Sequence, residues 1–180
     1  MNGERHRLPG DPSPRAAVKR IIRVDHAGEY GAVRIYAGQL AVLRCSAAAA
    51  AVREMAAQEQ KHLDALTSLA VRHRVRPTAM LPFWHVVGFA LGVATAALGT
   101  SAAMACTVAV EEAIGAHYAG QIATLDEGEL RDTITQFRNE ELQHRDTGLA
   151  HGAREAPGYR LLTGAIKAGC RAAIAISERV

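Results

Sequence analysis

Apolar residues recur at helical spacing along most of the chain, and no segment alternates apolar and polar positions as a half-buried strand would. Residues 16–44 run without proline and set Ile21, Ile22, Val24, Val33, Ile35 and Leu40 at helix-compatible intervals. Ser46 is the expected N-cap of a second helix, which passes through an alanine tract to about His73. Pro77 and Pro82 break the pattern between 74 and 82. Residues 83–110 contain no Lys, Arg, Asp or Glu, and a further helical stretch carries Glu111 to about Leu125. After a turn at Asp126-Glu127-Gly128 the helix resumes from Glu129 to about Leu149. Pro157 and Gly158 then set off a last amphipathic segment, 159–180. The pattern predicts an all-α bundle of five or six helices, one domain over 16–180, behind a short disordered lead at 1–15.

An internal repeat at an offset of 82 residues decides the architecture. Tyr36-Ala-Gly-Gln-Leu-Ala-Val-Leu43 matches Tyr118-Ala-Gly-Gln-Ile-Ala-Thr-Leu125 at six of eight positions. The same offset carries Glu29 to Glu111, Glu59 to Glu141, His62 to His144 and Asp64 to Asp146. One helical hairpin is used twice, so the two halves should be related by a pseudo-twofold axis.

Each half holds one Glu and, 30 residues later, a Glu-x-x-His: Glu29 with Glu59 and His62, then Glu111 with Glu141 and His144. Positions i and i+3 share a helix face, so each such Glu and His can point at one atom. In an antiparallel hairpin the two glutamates of a half meet if the turn lies midway, near 44 or near 126, where the breaks fall. Four carboxylates and two imidazoles then converge inside a four-helix bundle, the ferritin-like arrangement that holds two iron or two manganese ions. Two divalent ions neutralise four carboxylates, and oxygen-rich ligation without thiolate suits iron or manganese better than a structural zinc.

Other polar residues carry weaker signals. Asp64 and Asp146 follow their histidines by two positions, about 200° around the helix, so neither can orient its own His. Each is a surface charge or an outer partner to a ligand from another helix. Glu112 and Glu140 rotate away from the ligand face and are outer-shell or surface groups. Tyr36 and Tyr118 lie two turns beyond Glu29 and Glu111 on the same face; they either serve the site or are core tyrosines with satisfied hydroxyls. His26 lies three residues before Glu29, close enough for an outer role, and His73 and His151 sit at helix ends.

Composition narrows the class. Hydrophobic residues make up 49% and charged residues 22% of the 180, which excludes a disordered chain, and aromatics at 4% argue against a β-sandwich. A net charge of +3 is too small for a nucleic-acid protein but helps docking at an anionic membrane surface. Cys45, Cys106 and Cys170 sit among apolar neighbours and form no disulfide framework, which favours a reducing compartment and core positions for all three. The N-terminus lacks the apolar core of a secretory signal. The uncharged run 83–110 is rich in Ala, Gly and Thr and leads straight into Glu111. We read it as an apolar helix in or on a membrane interface, with a full span and a buried soluble helix as the alternatives. Gly88-x-x-x-Gly92 within it permits close helix contact.

Blocks of sequence covering nearly all of 21–180 resemble the demethoxyubiquinone hydroxylase family, the di-iron monooxygenases of late ubiquinone biosynthesis. They are Val24-Asp-His-Ala-Gly-Glu-Tyr-Gly-Ala32, Arg34-Ile-Tyr-Ala-Gly-Gln39, Arg76-Pro-Thr78, Gly88-Phe-Ala-Leu-Gly92, Met104-Ala-Cys-Thr-Val-Ala-Val-Glu-Glu112, Glu140-Glu-Leu-Gln-His144, Ala168-Gly-Cys-Arg171 and Ser177-Glu-Arg179. The resemblance implies two iron ions held by Glu29, Glu59, His62, Glu111, Glu141 and His144, with Glu59 and Glu141 bridging. It implies ring hydroxylation of a polyprenyl demethoxy-benzoquinol with O₂, and it links His117 and Tyr118 to electron delivery from NADH through the quinone. Accessory proteins of ubiquinone biosynthesis and a second copy of the chain are candidate partners, and the expected place is peripheral, on a bacterial inner membrane (cytoplasmic face) or the mitochondrial inner membrane (matrix side). No Gly-x-Gly-x-x-Gly follows a strand, so a nicotinamide-binding domain is not expected. A ferritin-type ferroxidase and a non-catalytic membrane-associated helical protein are the competing readings.

Overall fold

The computed structural model describes residues 13–44 and 46–180. Six α-helices follow one another: α1 (Pro14–Leu43), α2 (Ala48–His73), α3 (Leu81–Ala97), α4 (Thr100–Ile122), α5 (Glu129–Ala150) and α6 (Tyr159–Ser177). A single 3-10 turn (Ala153–Glu155) precedes α6, and no strand occurs among the described residues. The all-α, ferritin-like bundle is therefore as expected. The lead at 1–12 and Cys45 lie outside the described residues; Pro14 and Arg15 already belong to α1.

Local chemistry sets most helix ends. Ser13 Oγ accepts a hydrogen bond from the Ala16 amide at 3.1 Å, and Pro14 occupies the first turn, where its missing amide costs nothing. Ser46, in contrast, is not a cap. α2 starts two residues later without a side-chain cap, and the Ser46 hydroxyl has no hydrogen-bond partner. α2 closes on Arg74 in the left-handed region (φ 52°), and the Val75 amide turns back to the Ala70 carbonyl at 2.8 Å. Pro82 opens α3 rather than interrupting the chain, again in a first turn.

The uncharged run is not one helix. Gly99, at φ 113°, breaks it into α3 and the first three turns of α4. The two pieces meet different surroundings. Residues 102–110 of α4 are buried throughout, whereas α3 exposes Phe83, Val86 and Val87. The run, expected as an apolar helix followed by the start of the ligand helix, is α3 and then the buried first turns of α4 leading into Glu111. No helix among the described residues is long and apolar enough to cross a membrane.

The helices stack in three layers of two. α1 pairs with α2 and α4 with α5; on the opposite side α3 covers α1 and α6 covers α4. The duplication seen as a hairpin thus extends to a third helix in each half. α3 lies exceptionally close to α1, since Gly38 and Gly92 face each other without side chains. Cys106 is buried and Cys170 half-buried; both thiols are free, and burial pushes them up to about 12 and about 11, so neither is reactive.

Two apolar clusters flank the level of the repeated Glu and His residues. One gathers Ile22, Leu66, Ile114, Ile134 and Phe137; the other gathers Val52, Met55, Met104 and Val108. On α2, Glu59 and His62 fall between Met55 of one cluster and Leu66 of the other, so apolar packing holds that helix on both sides of the Glu and His level.

Candidate metal centre

Glu29, Glu59, Glu111 and Glu141 are all at most 1% exposed, and His62 and His144 no more than 3%. They form two overlapping groups: Glu29, Glu59, His62 and Glu141, and Glu59, Glu111, Glu141 and His144. Within each group the ligating atoms lie within 4.8 Å of one another. Glu59 and Glu141 belong to both. His62 Nδ1 stands 3.2 Å from Glu141 Oε1 and 3.5 Å from Glu29 Oε2, and His144 Nδ1 stands 2.8 Å from Glu59 Oε1 and 3.4 Å from Glu141 Oε2.

The hydrogen bonds show which atoms are kept free. Tyr36 donates to Glu111 Oε1 at 2.7 Å, and its repeat mate Tyr118 donates to Glu29 Oε1. Each tyrosine thus crosses to the other half and occupies one carboxylate oxygen, leaving Oε2 of Glu29 and Glu111 without a partner. Both oxygens of Glu59 and of Glu141, and Nδ1 of both histidines, are likewise buried and unpartnered. Buried polar atoms are normally satisfied, and an orphan costs about 1–3 kcal/mol. Among the four glutamates, one orphaned oxygen on each of two and both oxygens on the other two match two terminal and two shared carboxylates. The donor set therefore fits a pair of hard divalent ions.

The far side of each imidazole is held as well. His62 Nε2 lies 2.5 Å from Glu140 Oε2, and His144 Nε2 lies 3.2 Å from Gln58 Oε1. The His62 ring stacks on Phe137 with centroids 4.1 Å apart. Asp64 and Asp146 take no part. Both are exposed, Asp64 accepting from Gln60 and Asp146 from Arg145. Glu112 pairs with Lys167 at 2.8 Å, away from the cluster. Of the outer candidates, Glu140 reaches a member of the cluster, His62. Gln58 was overlooked, although the offset of 82 that maps Glu59 onto Glu141 also maps Gln58 onto Glu140.

His117 and Tyr118 diverge. Tyr118 enters the cluster, whereas His117, 17% exposed, lies 3.4 Å from Asp25 and lines a surface cavity of about 300 Å³ with Glu112, Lys167 and Arg171. Asp25 is buried and accepts from Gln121 Nε2 at 2.7 Å. Burial raises its carboxyl despite the nearby His117. Sequence reading missed this Asp25–His117–Gln121 group because Asp25 has no acidic counterpart in the other half. Gln121 was visible as the mate of Gln39, which instead bonds the Ala103 carbonyl at 3.0 Å. His26 is buried, burial holds it below its ordinary range, and its Nδ1 has no hydrogen-bond partner.

Crowded negative charge keeps protons on the cluster. Burial first, then Glu141, Glu29 and Glu111, raise Glu59 well above the ordinary carboxyl range; burial and Glu141 do the same to Glu111. Desolvation lowers His62, but the Glu141 and Glu29 carboxylates close to its Nδ1 outweigh it and carry the ring up to about 10. These raised groups hold protons at neutral pH that a divalent ion must displace. Metal loading should therefore release protons, and affinity should rise with pH through the neutral range. Calorimetric titration with Mn²⁺ in buffers of different ionisation enthalpy measures this; equal heats in every buffer would contradict it.

Between the outer layer and the α1/α4 layer runs an apolar cavity of about 640 Å³. Its floor includes Gly28 and Ala32, which flank Glu29, and Val110 and Ile114, which flank Glu111. Its walls come from Phe83, Trp84, Val87 and Leu91 of α3 and from Leu162 and Ile166 of α6. Trp84 Nε1 donates to Ser177 Oγ at 3.1 Å and ties the two outer helices together.

The profile of the family described as "Ubiquinone biosynthesis protein COQ7" matches residues 16–177. The chain belongs to this family. It is 59% identical over 177 residues to a Rhodospirillum rubrum protein named 3-demethoxyubiquinol 3-hydroxylase, covering 97% of this chain and 84% of that one. It is 55% identical over 176 residues, with 94% and 81% covered, to a Homo sapiens protein named NADPH-dependent 3-demethoxyubiquinone 3-hydroxylase, mitochondrial. A Saccharomyces cerevisiae protein named 5-demethoxyubiquinone hydroxylase, mitochondrial, is 40% identical over 184 residues, with 92% and 79% covered. The resemblance drawn from the sequence blocks is thus correct at the level of the family.

Proposed function

We propose that this chain is a monooxygenase that hydroxylates the ring of a polyprenyl demethoxy-benzoquinol in ubiquinone biosynthesis, at two iron ions held by Glu29, Glu59, His62, Glu111, Glu141 and His144. The observation that carries this reading is the set of buried, unpartnered ligand atoms beside an apolar cavity lined by the sequence neighbours of Glu29 and Glu111. Family membership and the names of its relatives agree with it. Iron bound there supplies the activation of O₂. In the balanced reaction one oxygen atom is inserted into a ring C–H bond to give C–OH, and the other leaves as water, with two electrons and one proton from a reduced nicotinamide nucleotide and a second proton from solvent.

The protein's own residues prepare that chemistry. Tyr36 and Tyr118 stay protonated, since burial and then Glu111 and Glu29 respectively push their phenols far up; each therefore remains a donor that fixes one ligand oxygen. The apolar walls of α3 and α6 accept the quinol and its tail, and their dryness limits loss of oxidant to water. Tyr118, hydrogen-bonded to Glu29, is the member of the His117–Tyr118 pair in touch with the centre, while His117 faces Asp25 and the surface. This is a suitable arrangement for electron delivery from outside inward. NADH is the reductant implied by resemblance and NADPH the one in the animal relatives' names; both belong in the assay. Purified chain, metal analysis, and incubation with demethoxyubiquinone, either nucleotide and ¹⁸O₂ test the reading. Mass spectrometry should show one labelled oxygen in the ring. No incorporation by reduced, iron-loaded protein, or accumulation of iron far beyond two ions per chain, would reject it.

Substrate access also points to a peripheral place at a membrane surface. Phe83, Val86 and Val87 on α3 are 53%, 64% and 40% exposed, and Leu161 and Ile176 on α6 are 82% and 41% exposed. These two helices form the cavity's outer walls. Lys19, Arg20 and Arg23 on α1, with Arg74 and Arg76 before α3, add cations nearby. Replacing Phe83 and Val86 together by Ser should lower partition onto vesicles containing anionic lipid by more than about tenfold, read by flotation. Unchanged flotation would remove α3 from the docking surface.

A further inference from the structure

Residues 58 and 140 occupy equivalent places under the 82-residue repeat, each one position before a shared glutamate. In one half the residue is Gln and in the other Glu. Both histidines turn Nδ1 toward the glutamate oxygens and Nε2 away from them, so the far nitrogen carries the proton to its outer partner. For His62 that partner is the Glu140 carboxylate, 2.5 Å away; for His144 it is the Gln58 amide oxygen, 3.2 Å away.

We propose that Glu140 and Gln58 make the two metal positions unequal, with the Glu29–Glu59–His62–Glu141 position binding a divalent ion more tightly than the Glu59–Glu111–Glu141–His144 position. The inference rests on the metal-centre reading above. A carboxylate accepting from an imidazole N–H forms a charge-assisted bond, about twice as strong as one to a neutral amide. It draws the ring toward imidazolate character, which makes Nδ1 a better donor, and the carboxylate touches the His62 ring and not the His144 ring. The surroundings reinforce the difference. Gln136 Nε2 donates to Glu140 Oε1 at 3.0 Å and holds the carboxylate in place, whereas the equivalent position on α2, Glu54, is exposed. Phe137 stacks on the His62 ring; its repeat mate Met55 instead contacts the Tyr36 hydroxyl at 3.7 Å. His62 is therefore pinned from its face and its edge.

Outer partners of this kind change metal affinity by about 10–100-fold. Anaerobic titration of metal-free full-length chain with Mn²⁺, followed by loss of the free-ion electron paramagnetic resonance signal, should resolve two binding constants separated by about that factor. Glu140→Gln should weaken the tighter constant toward the other and leave the weaker one in place. Gln58→Glu should do the reverse, tightening the weaker constant toward the other. If wild type binds no Mn²⁺, the metal-centre reading fails and this inference with it. If wild type binds two ions with one constant, or if Glu140→Gln weakens both constants equally, the inequality alone is overturned. Should Glu140→Gln not fold by circular dichroism, Gln58→Glu decides the matter, and an unchanged weaker constant rejects the proposal.

Discussion

Glu59→Gln is expected to abolish hydroxylation while making the metal-free protein more stable. Glu59 is fully buried, shared by both ligand groups, and has neither oxygen hydrogen-bonded. Gln keeps its shape but cannot serve as a bridging anion, so two divalent ions would face only three carboxylates. Metal supplies several kcal/mol to reactions of this kind, so the rate should fall by at least about a thousandfold. Stability moves in the opposite direction. Burial and three neighbouring glutamates already hold Glu59 far above its ordinary range, a sign that its charge is unwelcome in the metal-free fold. Gln is neutral from the start, so the metal-free fold no longer has to draw a proton onto a buried carboxyl. Thermal unfolding with and without Mn²⁺ should show a higher Tm for the metal-free variant than for metal-free wild type, and no further rise on adding metal. A variant with wild-type iron content, or with a lower metal-free Tm, would contradict the assignment of Glu59.

Gly92→Ala should be the most destabilising Gly→Ala change among the described glycines. A Cβ at Gly92 would lie 2.0 Å from the Ile35 carbonyl oxygen and 2.9 Å from the Gln39 amide nitrogen. Both are backbone atoms of α1, so no side-chain rotation relieves the clash. Gly38 shows the reverse contact, its Cβ falling 2.2 Å from the Phe89 carbonyl oxygen. α3 would have to move off α1, at a cost of about 3 kcal/mol and a Tm lowered by about 10 °C. The same shift moves a wall of the apolar cavity, so KM for a long-tailed quinol should rise as well. Gly28→Ala is the control. It lies on α1 and lines the cavity, and nothing stands within 4 Å of its Cβ position, so its Tm should be unchanged or slightly higher. Equal losses for the two variants would mean that helix crossing at Gly92 is not the constraint.

These two cases mark how legible the molecule was. The six Glu and His residues could be picked out because helical spacing puts Glu59 with His62 and Glu141 with His144 on single faces, and the repeat copies the set. The midpoint argument placed both hairpin turns correctly within a few residues. Tyr36 and Tyr118 were visible on the right faces, but not that each crosses to the opposite half. Asp64 and Asp146 repeated as faithfully as the ligands and still turned out to be surface charges. Repetition records a common origin as well as chemistry, and only burial separates the two. The uncharged run was ambiguous because hydropathy treats a buried helix and an exposed apolar one alike, and a single glycine divides them here.

The amino-acid sequence by itself determined the helices, their duplication and the ligand level, since each follows from periodicity and local turn chemistry within one hairpin. Tertiary structure decided the rest: Glu140 behind His62, Gln58 behind His144, Asp25 against His117, and α3 seated on bare backbone. Every one of those contacts joins helices whose mutual rotation is set by packing. A helical period names the face a residue occupies, while the partner that face meets depends on how the whole bundle closes.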